Sequence, residues 1–269
     1  MKNLILLLCL TVFTMSCKNK GIVYNDPIPE HDSLTISSKI VNEDRVITIW
    51  TPPNYDNSTD RFPVLYMPDG GIKEDFPHIA NTLSKLISEE KIPPYILVGI
   101  ENTERRRDLT GPTEVEYDLT IVPHPGGSNN FRGFIKHELF TEINNRYRTS
   151  DKRAIIGESV AGLFVMETFL LDNDMFDYYM AVDPSLWYNE QNLVKHFETL
   201  AKADYGQQKK LWFAGSDAED ISTHTRTLNE KLKQLDLGLI WTYADEPEEQ
   251  HSTIFRATKE KAMIWTLNE

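Results

Sequence analysis

Arg153-Ala154-Ile155-Ile156-Gly157-Glu158-Ser159-Val160-Ala161-Gly162-Leu163 is an apolar run that breaks into Gly-x-Ser-x-Ala-Gly, and Phe164-Val165-Met166-Glu167 continues it in a helical pattern. This is the pattern of a strand that turns sharply into a helix with a serine at the apex. Such a turn lifts the hydroxyl clear of the sheet and sets it beside a helix N-terminus. Small residues are needed on both sides because strand and helix backbones come close together. Gly157 fills the first small position; Ala161 replaces the usual second glycine, and Gly162 follows it.

The flanking chain repeats the alternation of strand and helix. Upstream, Ser33–Val41 and Arg45–Trp50 alternate in period two around Asn42-Glu43-Asp44, which predicts an antiparallel hairpin. Phe62–Met67 predicts a buried strand closing on Pro68-Asp69-Gly70-Gly71, and Ile79–Ile87 a helix. Tyr95–Ile100 predicts a further strand. A long polar loop, Glu101–Asn129, and an amphipathic helix, Phe131–Tyr147, come next. Downstream, strands are predicted at Tyr178–Val182, Lys210–Gly215 and Leu239–Tyr243, with helices at Leu193–Leu200, Leu228–Leu235 and Ile254–Leu267. Apolar strands alternating with helices imply an α/β domain with a mostly parallel sheet covered on both faces. Ligands of such sheets gather at the carboxyl ends of the strands, where the polar clusters of this chain fall.

The chain has 269 residues and a formal charge of −13. That balance, with no basic stripe, argues against nucleic acid as a partner. The start reads Met1-Lys2-Asn3, an apolar run from Leu4 to Phe13, then Thr14-Met15-Ser16-Cys17. A run this short cannot span a bilayer core of about 30 Å and reads as a secretory signal. Cys17 stands where a bacterial lipoprotein signal places its lipidated cysteine. The expectation is a signal peptide over 1–16, a tether over 17–30, and an α/β domain over 31–269. The protein would then be anchored by lipid in the cell envelope, facing the periplasm. Cleavage before Cys17 removes Cys9 and leaves one cysteine, so no disulfide can form within the mature chain.

A serine hydroxyl needs a base to take its proton, and the base needs an acid to fix its tautomer. Of the histidines after Ser159, His196 lies in a helix pattern and His224 opens one; His251 stands in the loop after the last strand, where the base belongs. The acid is expected after the Trp212 strand, where Asp217, Glu219 and Asp220 cluster; Asp217 is nearest the strand end and Glu219 is its rival. The acids that lose this contest would cap the following helix. Oxyanion donors are expected from the backbone of Val160 and from Gly70-Gly71, whose glycines permit close backbone approach. Arg107, within Arg105–Asp108, would hold an anionic or polyhydroxy substrate or else brace its loop; Trp187 would stack on an aromatic ring or sugar face or else fill the core.

Taken together, several pieces resemble the putative esterase family of α/β-hydrolases, a group that includes esterase D and the enterobactin esterases. They are Val64–Gly71, Val98–Thr103 with Arg105–Thr110, Gly126-Gly127-Ser128, Tyr147-Arg148-Thr149, the elbow, Asp183-Pro184-Ser185-Leu186-Trp187 and His251. The similarity is closest to siderophore-esterase-like members. It implies an α/β-hydrolase fold and a Ser-His-acid carboxylic esterase without metal or organic cofactor. The implied substrate is a siderophore lactone or an acetyl or feruloyl ester of a polysaccharide. Two other readings compete: acyl transfer on the same fold, and a non-catalytic module that binds an iron chelate or a glycan.

Overall fold

Seven of the eight strands carry long apolar stretches whose side chains alternate between two separate cores, one on each face of a single sheet. The computed structural model describes residues 25–206 and 208–268. Its strands are β1 (Asp32–Ser38), β2 (Glu43–Trp50), β3 (Phe62–Pro68), β4 (Ile96–Ile100), β5 (Thr149–Glu158), β6 (Tyr178–Val182), β7 (Lys210–Gly215) and β8 (Ile240–Asp245). They lie in the order β1-β2-β4-β3-β5-β6-β7-β8. The expected hairpin is present: β1 pairs antiparallel with β2, and β2 pairs antiparallel with β4. Every pairing from β4 onward is parallel. Doubly covered parallel strands must be apolar throughout, and β4 and β6 are buried along their whole length.

Ten α-helices are assigned in the described residues: α1 (Phe76–Ser88), α2 (Arg105–Leu109), α3 (Glu116–Ile121), α4 (Ser128–Phe134), α5 (Phe140–Arg146), α6 (Val160–Leu171), α7 (Tyr188–Lys195), α8 (Phe197–Leu200), α9 (Glu219–Lys233) and α10 (Ile254–Leu267). One core joins Leu65, Met67, Ala154, Ile156, Met180 and Trp212 to α1 and α10. The other joins Tyr66, Val98, Ile155, Tyr179 and Phe213 to α4, α5, α6 and α9. This is the α/β-hydrolase fold, and its topology brings the carboxyl ends of β3 through β8 to one edge of the molecule.

The structure corrects several predicted elements. The loop Glu101–Asn129 carries α2 and α3, both too short to show a period. The single helix expected at Phe131–Tyr147 is α4 and α5 joined by a π turn, Ile135–Leu139, which shifts the register of the apolar face. The helix at Leu193–Leu200 is broken at His196 into α7 and α8, and α9 begins nine residues before Leu228, at Glu219. The expected signal peptide, Cys17 and the tether as far as residue 24 lie outside the described residues. Asp26 is ion-paired with Arg256 at 2.5 Å, and the Pro27 carbonyl accepts from Asn81 at 2.7 Å, so these two residues lie against α1 and α10. No helix of the described residues is long and apolar enough to cross a membrane.

Candidate active site

Ser159 sits between β5 and α6 with φ 59° and ψ −120°, a conformation that a residue with a side chain adopts only under constraint. The constraint is visible. Its N–H donates to Val182 O at 3.0 Å, and its own carbonyl accepts from Leu163 N and Ser185 N. A Cβ on Gly157 would stand 2.7 Å from the Ala161 carbonyl, so only glycine lets strand and helix cross this closely. Ala161 causes no conflict; it is buried in the crossing. Two neighbouring strand ends turn in the same strained way, at Asp69 (φ 57°) after β3 and Asp183 (φ 45°) after β6.

His251 reaches Ser159 from the loop after β8. Its Nε2 accepts from Ser159 Oγ at 3.1 Å, and its Nδ1–H donates to Asp183 Oδ2 at 2.5 Å. The acid beside the imidazole is therefore Asp183, at the end of β6, and not Asp217. Asp183 is fully buried, and Ser216 holds it from the end of β7: the Ser216 N–H donates to Oδ1 at 2.7 Å and its hydroxyl to Oδ2 at 2.8 Å. Asp217 is exposed and serves through its backbone, donating N–H to Glu249 O at 2.8 Å and so tying the two loops together. Glu219 and Asp220 stand in the first turn of α9, where their charge complements the helix dipole. Asp183 follows β6, one strand before the β7 end at which the acid is expected. The available signal was an acid placed directly at the end of the wholly apolar strand Tyr178–Val182.

The expected oxyanion donors are only partly in place. Val160 opens α6, whose first amides have no acceptor inside the helix. Gly70 N–H is spent on Ile100 O at 3.0 Å, and Gly71 N–H is capped by Glu74 Oε2 at 2.8 Å. Gly70 is there for packing: its Cβ would lie 2.2 Å from the Gly99 Cα. Arg107 is likewise a brace, binding Glu43 at 2.5 Å and Asp108 at 2.8 Å. Those acids also hold Arg45, which is fully buried. The arginine nearer the site is Arg105, bidentate on Asp69 at 2.6 and 2.7 Å. Trp187 is half-buried, against the core on one side and the Tyr117 ring on the other.

The charges around this site favour a basic imidazole. The hydrogen bond from Asp183 raises His251 above the ordinary range, against the opposing effect of burial, and the Glu158 carboxylate adds to the rise. Burial pushes Glu158 itself up to about 7, against the pull of His251, with Asp75 adding to the rise. Among the described residues no group of three or more His, Cys, Asp or Glu side chains is arranged to hold a metal ion.

An elbow serine, a histidine on it and a buried acid behind the histidine define a serine hydrolase of the α/β class. Comparison with known proteins places it further. Residues 38–257 match the family model described as "Putative esterase". The ferri-bacillibactin esterase of Bacillus subtilis is 27% identical over 271 residues, covering 90% of this chain and 91% of that one. The apo-salmochelin esterase of Escherichia coli is 25% identical over 243 residues, covering 83% of this chain and 76% of its own. Among solved structures, an IroE-like serine hydrolase from Shewanella oneidensis superposes with a TM-score of 0.81 at 28% identity, covering 88% of this chain and 79% of its own. The chain belongs to this esterase family and is a serine carboxylic-ester hydrolase.

Proposed function

We propose that this esterase cleaves the ester bonds of siderophores, lactones foremost, with Ser159 as nucleophile, His251 as proton shuttle and Asp183 as the acid that orients it. The observation that carries the reading is the unbroken chain of hydrogen bonds from Ser159 Oγ through the imidazole to Asp183, at 3.1 and 2.5 Å. In the reaction Ser159 Oγ attacks the ester carbonyl while its proton passes to His251 Nε2. The tetrahedral oxyanion is met by the Val160 N–H, and collapse returns the proton to the departing alkoxide, leaving an acyl-serine. Water, deprotonated by the same nitrogen, then releases the acid and restores Ser159. Siderophore substrates are supported by the relatives, two of which are named esterases of bacillibactin and salmochelin.

The test is hydrolysis of enterobactin, followed by chromatography of the linear products. The wild-type protein opens the trilactone, and Ser159→Ala abolishes turnover while circular dichroism stays unchanged. Unchanged turnover by Ser159→Ala removes this serine from the mechanism, and turnover of acetylated or feruloylated glycans in place of the trilactone moves the substrate class. We also propose that Cys17 carries a lipid anchor that holds the enzyme in the cell envelope, a reading supported by the residues Met1 to Cys17 alone. Cys17→Ser is expected to shift the protein from the membrane fraction to the soluble fraction.

A further inference from the structure

Acyl transfer is served by several donors aimed at the developing oxyanion, and the Val160 N–H supplies one of them. The loop between β3 and α1 lies on the other side of the elbow. It is closed on itself, with Asp75 N–H on Asp69 O at 3.0 Å and Glu74 N–H on Gly71 O at 2.9 Å. β3 and β5 are parallel neighbours, so this loop and the elbow start side by side. One nitrogen ties them: Arg105 Nη2 donates to Asp69 Oδ2 at 2.7 Å and to Glu158 O, the carbonyl just before Ser159, at 3.5 Å. Asp69 and Asp75, at the two ends of the loop, both push the Glu158 carboxyl up, so both ends lie near the residue that precedes the nucleophile.

Inside the loop, Gly71 N–H donates to Glu74 Oε2 at 2.8 Å, and Glu74 Oε1 accepts from Asn102 Nδ2 at 2.8 Å. A carboxylate oxygen on a backbone N–H has the charge and the acceptor geometry of an oxyanion on its donor. Glycine is what admits it. A Cβ at residue 71 would stand 3.0 Å from Glu74 Oε2 and 2.8 Å from Glu101 Cγ, so a side chain here would push the carboxylate off. The carboxylate is also held at a cost. Burial raises its pKa against the bonds from Gly71 and Asn102, and the Asp69 carboxylate adds to the rise. A competing oxygen can therefore take its place.

We infer that the Gly71 N–H is the second oxyanion donor and that Glu74 is its gate: at rest the enzyme covers this donor with its own carboxylate, and the carbonyl oxygen of a bound ester displaces it. The inference rests on the esterase reading above. Two anions cannot share one N–H, so Glu74 leaves before negative charge builds on the ester oxygen. No covalent bond changes in this exchange; one acceptor replaces another. The departure of Glu74 adds to the barrier of every ester alike, and weakening its hold should speed the reaction.

Glu74→Gln keeps the size of the side chain and an oxygen for Gly71 but removes the charge, which makes the bond to Gly71 about half as strong. Its kcat/KM on p-nitrophenyl acetate is expected to rise by about threefold to tenfold. A residue that only braces the loop would lower the rate when changed, so an unchanged or lowered kcat/KM in Glu74→Gln overturns the gate. The wild-type protein answers the same question without a substitution. Phenylboronic acid adds to the Ser159 hydroxyl as a tetrahedral anion, and a crystal structure of the adduct should show a boronate oxygen about 3 Å from the Gly71 nitrogen with Glu74 turned away. An adduct in which Glu74 still holds the Gly71 N–H overturns the gate and leaves the esterase reading standing. A wild-type protein that forms no adduct, and that hydrolyses no ester with or without Glu74→Gln, overturns the esterase reading and the gate with it.

Discussion

At the scale of single residues, the account depends on which carboxylate faces His251. Asp183 Oδ2 lies 2.5 Å from Nδ1, whereas Asp217 offers the histidine loop only its backbone N–H. An amide in place of the acid leaves the imidazole in the wrong tautomer. Asp183→Asn should therefore lower kcat by about 10³- to 10⁴-fold, while Asp217→Asn stays within about twofold, a change of less than 0.5 kcal/mol. Steady-state kinetics on p-nitrophenyl acetate decides between them, and the reverse order of effects restores Asp217. Ser216 acts through Asp183 and is a positioning residue. Removing its hydroxyl in Ser216→Ala takes one donor from Oδ2, so the carboxylate should pull harder on the imidazole proton. The acid limb of the pH–rate profile then moves to higher pH, and Ser216→Thr restores it. A drop in rate with an unmoved limb would mean that Ser216 only packs.

At the scale of elements, the crossing of β5 and α6 is set by one missing side chain. A Cβ at Gly157 would meet the Ala161 carbonyl carbon and oxygen at 2.7 Å, and backbone cannot move aside as a flexible side chain can. Gly157→Ala should cost about 2–4 kcal/mol, read from urea unfolding, because overpacking at backbone contact exceeds the usual core penalty. An effect under about 0.5 kcal/mol would show that the crossing is looser than drawn. This crossing was legible in the sequence because Gly-x-Ser-x-Ala-Gly has few structural solutions, and the doubly buried strands were legible as apolar runs. The last loop also gave up its histidine, since His251 is the one histidine placed between the final strand and helix. What stayed hidden depends on lateral neighbours. The ends of β6 and β7 converge on the same loop, and nothing in Asp183-Pro184 or Ser216-Asp217 states which side chain arrives. Arg107 was ambiguous for the same reason: its acids, Glu43 and Asp108, come from a distant hairpin and from its own helix. The acceptors of the Gly70 and Gly71 N–H groups, Ile100 O and Glu74, are set by the closure of a turn, which the residues alone do not state.

At the scale of the whole molecule, the sheet concentrates acids at the catalytic edge of a chain whose formal charge is −13. Glu158 has the clearest consequence. Its carboxyl titrates at about 7 in the fold, above the ordinary 4.5, because burial disfavours the charged form. A raised acid makes the folded state bind more protons than the unfolded one, so stability is lost as pH rises from about 4.5 to about 7 and is level beyond. Glu158→Gln removes this loss and should raise stability at pH 8 by about 1–3 kcal/mol, with little change at pH 4. The same change deprives His251 of a carboxylate that favours its protonated form. The acid limb of kcat/KM should then move to lower pH, and an upward move would contradict the electrostatics. All of this depends on an activated Ser159, and the most direct measurement is covalent labelling by a fluorophosphonate, with the adduct located by peptide mass mapping. The account predicts one adduct, on the peptide that contains Ser159, formed rapidly by the wild type and at least about 100-fold more slowly by His251→Ala and Asp183→Asn, in keeping with the loss of the proton acceptor or its orienting acid. An adduct elsewhere, no adduct at all, or equal labelling of all three proteins would contradict it.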